Sequence, residues 1–336
     1  MGHLVKKILL IIMSVLITIL ILFVIIFYRR DLSVEDLEDT YFTTYSNYID
    51  VSIRNLDDQI ITINLHYQDY GDANSDVIVL LHGAFASSHT FNPWALELVE
   101  LGYRVISIDL PYHGLSGGFT DHITSLRRSA MAVKAILDEL EINEVIIGGN
   151  SMGGGVSWTF AATYHEQDDF IVKGLVLIDA IYPMQFNEQN RVPDFLTSDF
   201  FSSIVSKFTP RFLLKSILNN VYGSFNKPSN EAIDRYYDLL RKEGNRKAIL
   251  INEQENFSID EGLALLDQIR IANIPVLILW GNEDSWIPVE VSSLFKVKLQ
   301  LTDEFIIIYD DLGHVPMEED PSRTLLDLLY FINQLP

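Results

Sequence analysis

At 336 residues the chain is long enough for one large domain with a sizeable core and room for an inserted subdomain, and its 48% hydrophobic and 21% charged residues are the balance of a folded protein, not a disordered one. All 46 acidic residues and only 20 of the 24 basic ones follow position 30, a formal charge of −26 there, which argues against nucleic acid as a partner and reads most simply as a solubility device. With no cysteine, disulfides, thiolate metal sites and cysteine nucleophiles are excluded.

The first element is an uncharged run from Ile8 to Tyr28, broken only by the small polar Ser14 and Thr18. At about 1.5 Å per residue it reaches roughly 30 Å, the hydrocarbon thickness of a bilayer. Residues 1–30 are therefore expected to form a membrane anchor with a span over about 8–28. A cleaved signal peptide would carry an apolar core of about 7 to 15 residues and then a small-residue cleavage site; neither is visible. A buried core helix would show a polar face, and this run has none. Lys6, Lys7 and the terminal amine oppose Arg29 and Arg30 across the span, and the count of basic residues favours an N-terminus inside and a single-pass protein of the cell membrane with its domain on the extracytoplasmic side.

A polar, Asp-rich juxtamembrane segment, 31–47, leads into apolar runs rich in Val and Ile: Tyr48 to Arg54, Ile60 to Tyr67, Val77 to Leu81, Arg104 to Ile108, Val145 to Gly148, Leu175 to Ile178, Val276 to Trp280 and Phe305 to Tyr309. The first two alternate like half-exposed antiparallel strands, whereas the other six are nearly continuous, as strands buried on both faces of a parallel sheet are. Helical spacing lies between them, clearest where Leu126, Ala130, Val133, Leu137 and Leu140 share one face. The pattern predicts an α/β fold, a mostly parallel eight-stranded sheet flanked by helices. About ninety residues between Ile178 and Val276 are too many for a loop. With helical patterns at Phe201, Ile204, Val205 and Phe208, at Glu231 to Lys242 and at Asp260 to Ile271, residues 181–271 are expected to be an inserted helical cap, leaving 48–180 and 272–336 as the core. No internal repeat is visible.

Chemistry concentrates at strand ends. Gly149-Asn150-Ser151-Met152-Gly153 follows an apolar strand and opens a segment that can be helical, the context that a G-x-S-x-G nucleophile elbow requires. The turn is too sharp for bulk two residues either side of the serine, and Gly149 and Gly153 supply none. A serine hydroxyl needs a base oriented by a carboxylate, expected in the order Ser, acid, His. His314, in the turn after the last strand, is the only histidine beyond His165. Glu283, Asp284 and Asp179 could each reach an imidazole from a neighbouring strand end; the placement logic of the triad favours Asp284. His82-Gly83-Ala84-Phe85 follows another strand where an oxyanion donor is supplied, giving Ala84 N–H and Met152 N–H as the candidate hole. His82 and Gly83 then support the turn, with His82 stabilising it rather than acting as a catalyst.

These motifs, with the segment Asp109-Leu110-Pro111-Tyr112-His113-Gly114-Leu115-Ser116 and the turn from Trp280-Gly281 to Asp284, make the chain from about Tyr48 to Pro336 resemble the α/β-hydrolase superfamily in its capped, lipase-, esterase- and peptidase-like branch. The family usually has Gly where this chain has Tyr112 and often His where it has Asn150; His113 and Ser116 match a turn that is structural in the family. Serine at the elbow separates the chain from relatives resembling haloalkane dehalogenases and epoxide hydrolases, which carry Asp there. The resemblance implies a serine hydrolase that cleaves a carboxylic ester through an acyl-enzyme, on a small-molecule or lipid-like substrate. Acyltransferase, thioesterase or peptidase activity would use the same triad, and a non-catalytic ligand-binding protein could be built on the same scaffold. No metal-ligand spacing, P-loop or dinucleotide motif is present, so no cofactor and no metal are expected.

Overall fold

The computed structural model describes residues 2–54, 59–121, 123–185, 202–204, 206–246, 253–254 and 257–336. Helix α1 (Gly2–Phe27) is exposed over residues 3–26 and is long and apolar enough to cross a membrane. Helix α2 (Val34–Tyr41) follows, its first turn closed by Ser33 accepting the Asp36 N–H at 3.1 Å, and it buries Leu37 beside Leu115 and Leu239.

Eight strands form the main sheet in the order β1-β2-β4-β3-β6-β7-β9-β10. These are β1 (Ser46–Arg54), β2 (Ile60–Tyr70), β3 (Val77–Leu81), β4 (Arg104–Ile108), β6 (Glu144–Asn150), β7 (Ile171–Ile178), β9 (Val276–Gly281) and β10 (Ile306–Tyr309). All eight sequence runs are strands. β2 is antiparallel to β1 and β4, and every other pairing is parallel. Two short strands, β5 (Ile123–Thr124) and β8 (Glu253–Gln254), pair separately.

Alternation along the central strands sorts their side chains onto two cores. Val79, Ile106, Ile147 and Leu177 face the cluster that includes Val133 of α4 (Leu126–Glu139), Phe160 of α5 (Met152–Tyr164) and Phe295 of α9 (Glu290–Leu299). Ile78, Val105, Ile146 and Val176 face Trp94 of α3 (Asn92–Glu100) and Leu328 of α11 (Pro321–Ile332). Burial on both faces is why these runs carry no polar alternation.

Between β7 and β9, helices α6 (Arg211–Val221) and α7 (Asn230–Leu240) pack on one another through Leu214, Leu218, Ile233, Tyr236 and Tyr237, and on Ala86 in the loop after β3. Of the four residues read as a helical stripe, Phe201 and Val205 lie outside the described residues; Ile204 is helical and Phe208 is not. Helix α8 (Ile259–Ile271) falls inside the range expected for the cap, yet it packs on α5 and α9 and places Leu266 and Ile269 in the sheet's core. It packs as a crossover helix of the sheet.

Candidate active site

Every parallel strand ends at one edge of the sheet, and the residues singled out from the sequence lie there. β6 ends at Asn150 and α5 begins at Met152, so Ser151 alone makes the turn, with φ +53° and ψ −116°. This is an unfavourable backbone for a side chain other than glycine's and persists only when its surroundings hold it. Ser151 N–H donates to Ile178 O at 2.9 Å, and its carbonyl accepts the N–H groups of Gly155 at 3.0 Å and Ile181 at 3.1 Å. A Cβ on Gly153 would stand 2.1 Å from Leu81 O, and one on Gly149 2.4 Å from Gly153 C. The elbow closes because both positions lack a side chain.

His314 comes from the turn after β10. Its Nδ1 lies 2.7 Å from Asp284 Oδ2, both residues being buried. The other oxygen, Asp284 Oδ1, accepts the N–H groups of Trp286 at 2.7 Å and Ile287 at 3.0 Å. The carboxylate is thus satisfied on both sides, and holding the proton on Nδ1 leaves Nε2 as the basic nitrogen. Among the described residues, neither of the other two candidate acids is hydrogen-bonded to the His314 ring. Glu283 is exposed and its carboxylate takes Ser224 N–H at 2.6 Å and Ser224 Oγ at 2.7 Å. Asp179 is fully buried at φ +44°; its Oδ1 accepts Gly281 N–H at 3.0 Å while Oδ2 has no partner among the described residues. Burial first, and the neighbouring Asp284 carboxylate second, push its acid well above the ordinary carboxylate range.

His82 is fully buried. Its Nε2 accepts Leu110 N–H at 3.0 Å and its Nδ1 donates to Gly83 O at 2.7 Å, which pins the loop that presents Ala84. Burial lowers its pKa. A Cβ on Gly83 would lie 3.2 Å from Ser151 Cβ, so this loop touches the elbow. Neither Ala84 N–H nor Met152 N–H, the first of its helix, is engaged by another group among the described residues. Phe85 meets Trp286 edge-on at 6.5 Å, and Trp286 lies against the His314 ring at 5.5 Å.

Three contributors were given no role by the sequence. The Asn150 side chain donates to His314 O at 2.8 Å and to Ile178 O at 3.2 Å, joining elbow and histidine turn. Glu319, 2% exposed, takes Gly313 N–H at 2.9 Å and Gly223 N–H at 2.7 Å. Val221 O at the end of α6 accepts His314 N–H at 2.8 Å. A small cation could be held only where Asp179, Asp284 and His314 bring ligand atoms within 4.8 Å of one another, among the described residues. There the His314 and Asp284 atoms already bond each other.

A family model described as alpha/beta hydrolase fold matches residues 76–321. Among curated relatives, 2-hydroxy-6-oxononadienedioate/2-hydroxy-6-oxononatrienedioate hydrolase 1 of Pseudomonas putida is 30% identical over 289 residues, covering 82% of this chain and 94% of that protein. The bifunctional esterase/perhydrolase DCH of Acinetobacter calcoaceticus is 26% identical over 280 residues, covering 80% and 96%. Among solved structures, a membrane phospholipase A described as a novel bacterial virulence factor superposes with a TM-score of 0.63 at 21% identity, over 98% of each chain.

Proposed function

Since the chain belongs to the alpha/beta hydrolase fold family, we propose that it is a membrane-anchored serine hydrolase that cleaves a carboxylic ester. The observation that carries this reading is the His314–Asp284 contact at 2.7 Å, tied through Asn150 to the strained elbow of Ser151. Ser151 Oγ attacks the ester carbonyl while His314 Nε2 takes its proton and returns it to the leaving alkoxide, releasing the alcohol. Water, deprotonated by the same nitrogen, then attacks the acyl-enzyme, and the acid leaves as Ser151 recovers its proton. Ala84 N–H and Met152 N–H receive the oxyanion of each tetrahedral intermediate, and Asp284 orients the imidazole and stabilises its charged form. Gly149, Gly153, Gly83 and His82 hold these groups in position. The esterase activity in the name of the Acinetobacter relative supports acyl chemistry. α1 is read as the retained anchor, with Lys6 and Lys7 on the cytoplasmic side and the domain on the extracytoplasmic side.

A fluorophosphonate probe tests the nucleophile. Wild-type protein should label and the Ser151→Ala variant should not; failure of the wild type to label, with soluble esters also left intact, would point to a binding protein on this scaffold. Protease applied to intact cells should cleave the domain, and protection of it would reverse the orientation.

A further inference from the structure

The anchor and the segment leading into α6 meet through aromatic side chains. Phe23 stacks on Phe208 at 5.6 Å and Phe27 meets Phe212 edge-on at 5.9 Å. Just beyond, Arg29 N–H donates to Lys207 O at 2.7 Å, and the buried Arg246 bonds Arg29 O at 2.9 Å and pairs with the Asp31 carboxylate. The exit of the span is therefore fastened to the start of α6. That helix buries Leu214, Leu218 and Val221 and turns Phe212, Leu213 and Ile217 outward, with exposures of 54%, 45% and 44%. Three large apolar side chains on the outer stripe of an 11-residue helix are the mark of a surface that meets something apolar. At its other end, Val221 O accepts His314 N–H at 2.8 Å and Asn220 O accepts the Ser285 hydroxyl at 2.8 Å. One helix of about 16 Å thus joins the end of the span to the proposed catalytic turn.

We propose that α6 lies in the membrane–water interface with Phe212, Leu213 and Ile217 in the outer part of the leaflet, and that the ester cleaved at Ser151 is a bilayer lipid reached without release into water. The inference rests on reading α1 as a retained span. The bilayer is the occupant because the stripe continues the lipid-facing surface of α1 through Phe27 and Phe208. Arg30 and Lys215, both exposed, lie beside it in a domain that is otherwise strongly acidic, and an apolar stripe edged by Lys and Arg is how interfacial helices sit among headgroups.

The absence of cysteine allows single-site labelling. Leu213→Cys and Leu101→Cys would each carry an environment-sensitive fluorophore in the full chain, reconstituted in phosphatidylcholine–phosphatidylglycerol vesicles. Leu101 is 56% exposed and precedes β4 at the opposite edge of the sheet. The Leu213 probe should be quenched by nitroxide-bearing lipid and shielded from aqueous iodide, and the Leu101 probe should behave in the opposite way. Iodide quenching of Leu213 at the Leu101 level overturns the proposal, and so does shielding from both quenchers, since a protein surface such as a second copy then covers the stripe. In the same vesicles, Phe212→Ser/Leu213→Ser/Ile217→Ser should lower hydrolysis of a vesicle-borne phospholipid ester about tenfold or more, on the scale of losing one or two apolar insertions, and leave a soluble butyrate ester unaffected. No loss on vesicles, or equal loss on both substrates, overturns it. Alkaline carbonate extraction separates the premises: release of the chain refutes the anchor, whereas retention with an iodide-quenched Leu213 refutes only the docking of α6. Fluorophosphonate labelling of Ser151 reports on the hydrolase reading independently.

Discussion

Two buried carboxylates stand beside one imidazole at the edge of the sheet, and their environments differ. Asp284 has two backbone donors and the His314 ring; Asp179 has one donor, full burial and a negative neighbour. Burial first, and the neighbouring carboxylate second, hold the poorly solvated Asp179 acid well above the ordinary range. Asp284→Asn should then lower kcat by about 10³- to 10⁴-fold, because the imidazole loses its orienting charge. Asp179→Asn, which mimics a neutral acid, should keep kcat within about tenfold. Stability adds a second readout. A folded-state pKa raised above the ordinary value of about 3.9 means that the native state binds the extra proton, so stability falls as pH rises from that value through the raised one. An Asn has no proton to retain. The urea midpoint of Asp179→Asn should match wild type below about pH 4 and exceed it increasingly toward neutrality. Loss of activity in Asp179→Asn with activity kept in Asp284→Asn would transfer the role. The residue types at the strand ends were legible in the sequence, but the direction in which each turn aims its carboxylate was not, which left three acids open. Tyr112 shows the converse. At the position where the family resemblance implies glycine it adopts φ +65°, held by its N–H to Gly117 O at 2.8 Å and its hydroxyl to Phe119 O at 2.7 Å, so the departure was legible and the strain behind it was not.

At the level of elements, α7 is fastened to α10 (Pro316–Glu319), just past His314, by one carboxylate. Glu318, with a side chain 7% exposed, accepts from Arg235 at 2.7 Å, Tyr222 at 2.6 Å, Tyr236 at 3.1 Å and the Thr90 hydroxyl. Removing one partner of a buried pair leaves an uncompensated charge, at a cost of about 3–5 kcal/mol. Two tyrosines and a threonine still solvate Glu318 in Arg235→Ala, so about 3 kcal/mol is expected. It should appear as faster hydrogen exchange in α7 than in β3 or β6, and uniform loss of protection across the sheet would mean that α7 is no separate unit. Periodicity made α4, α7 and α8 readable, since each buries one stripe. It hid α6, because Phe212, Leu213 and Ile217 are as apolar as the buried Leu214, Leu218 and Val221 and erase the contrast between faces. Which layer a helix joins is a tertiary matter, and α8 could be assigned to the sheet only once Leu266 and Ile269 were seen in its core.

For the whole molecule, pH acts through its net charge, through the buried Asp179 and, in the opposite sense to Asp179, through His82, His89 and His113, three rings that burial keeps neutral and that outweigh the one acid. His89 donates through Nε2 to Tyr41 O at 2.9 Å and His113 through Nδ1 to Pro111 O at 2.9 Å. Burial lowers both to about 4, with the adjacent His82 ring adding to the effect on His113. An imidazole depressed from about 6.5 stays neutral in the native state while the unfolded chain takes up a proton, so its contribution is intact above about pH 6.5 and is lost as pH falls toward 4. At 1.36 kcal/mol per unit this is on the order of 3 kcal/mol for each ring. Neutralising carboxylates acts in the opposite sense, because acid relieves the self-repulsion of a chain with a formal charge of −22. Salt separates the two, since it screens exposed charge and barely touches the desolvation of a buried ring. Urea midpoints should fall between about pH 6.5 and pH 4 with a slope that added salt does not remove, and His89→Gln should lower that slope by close to one proton. A midpoint flat across this window, or a slope abolished by salt, would assign the acid response to the surface and leave the buried rings without a part in it.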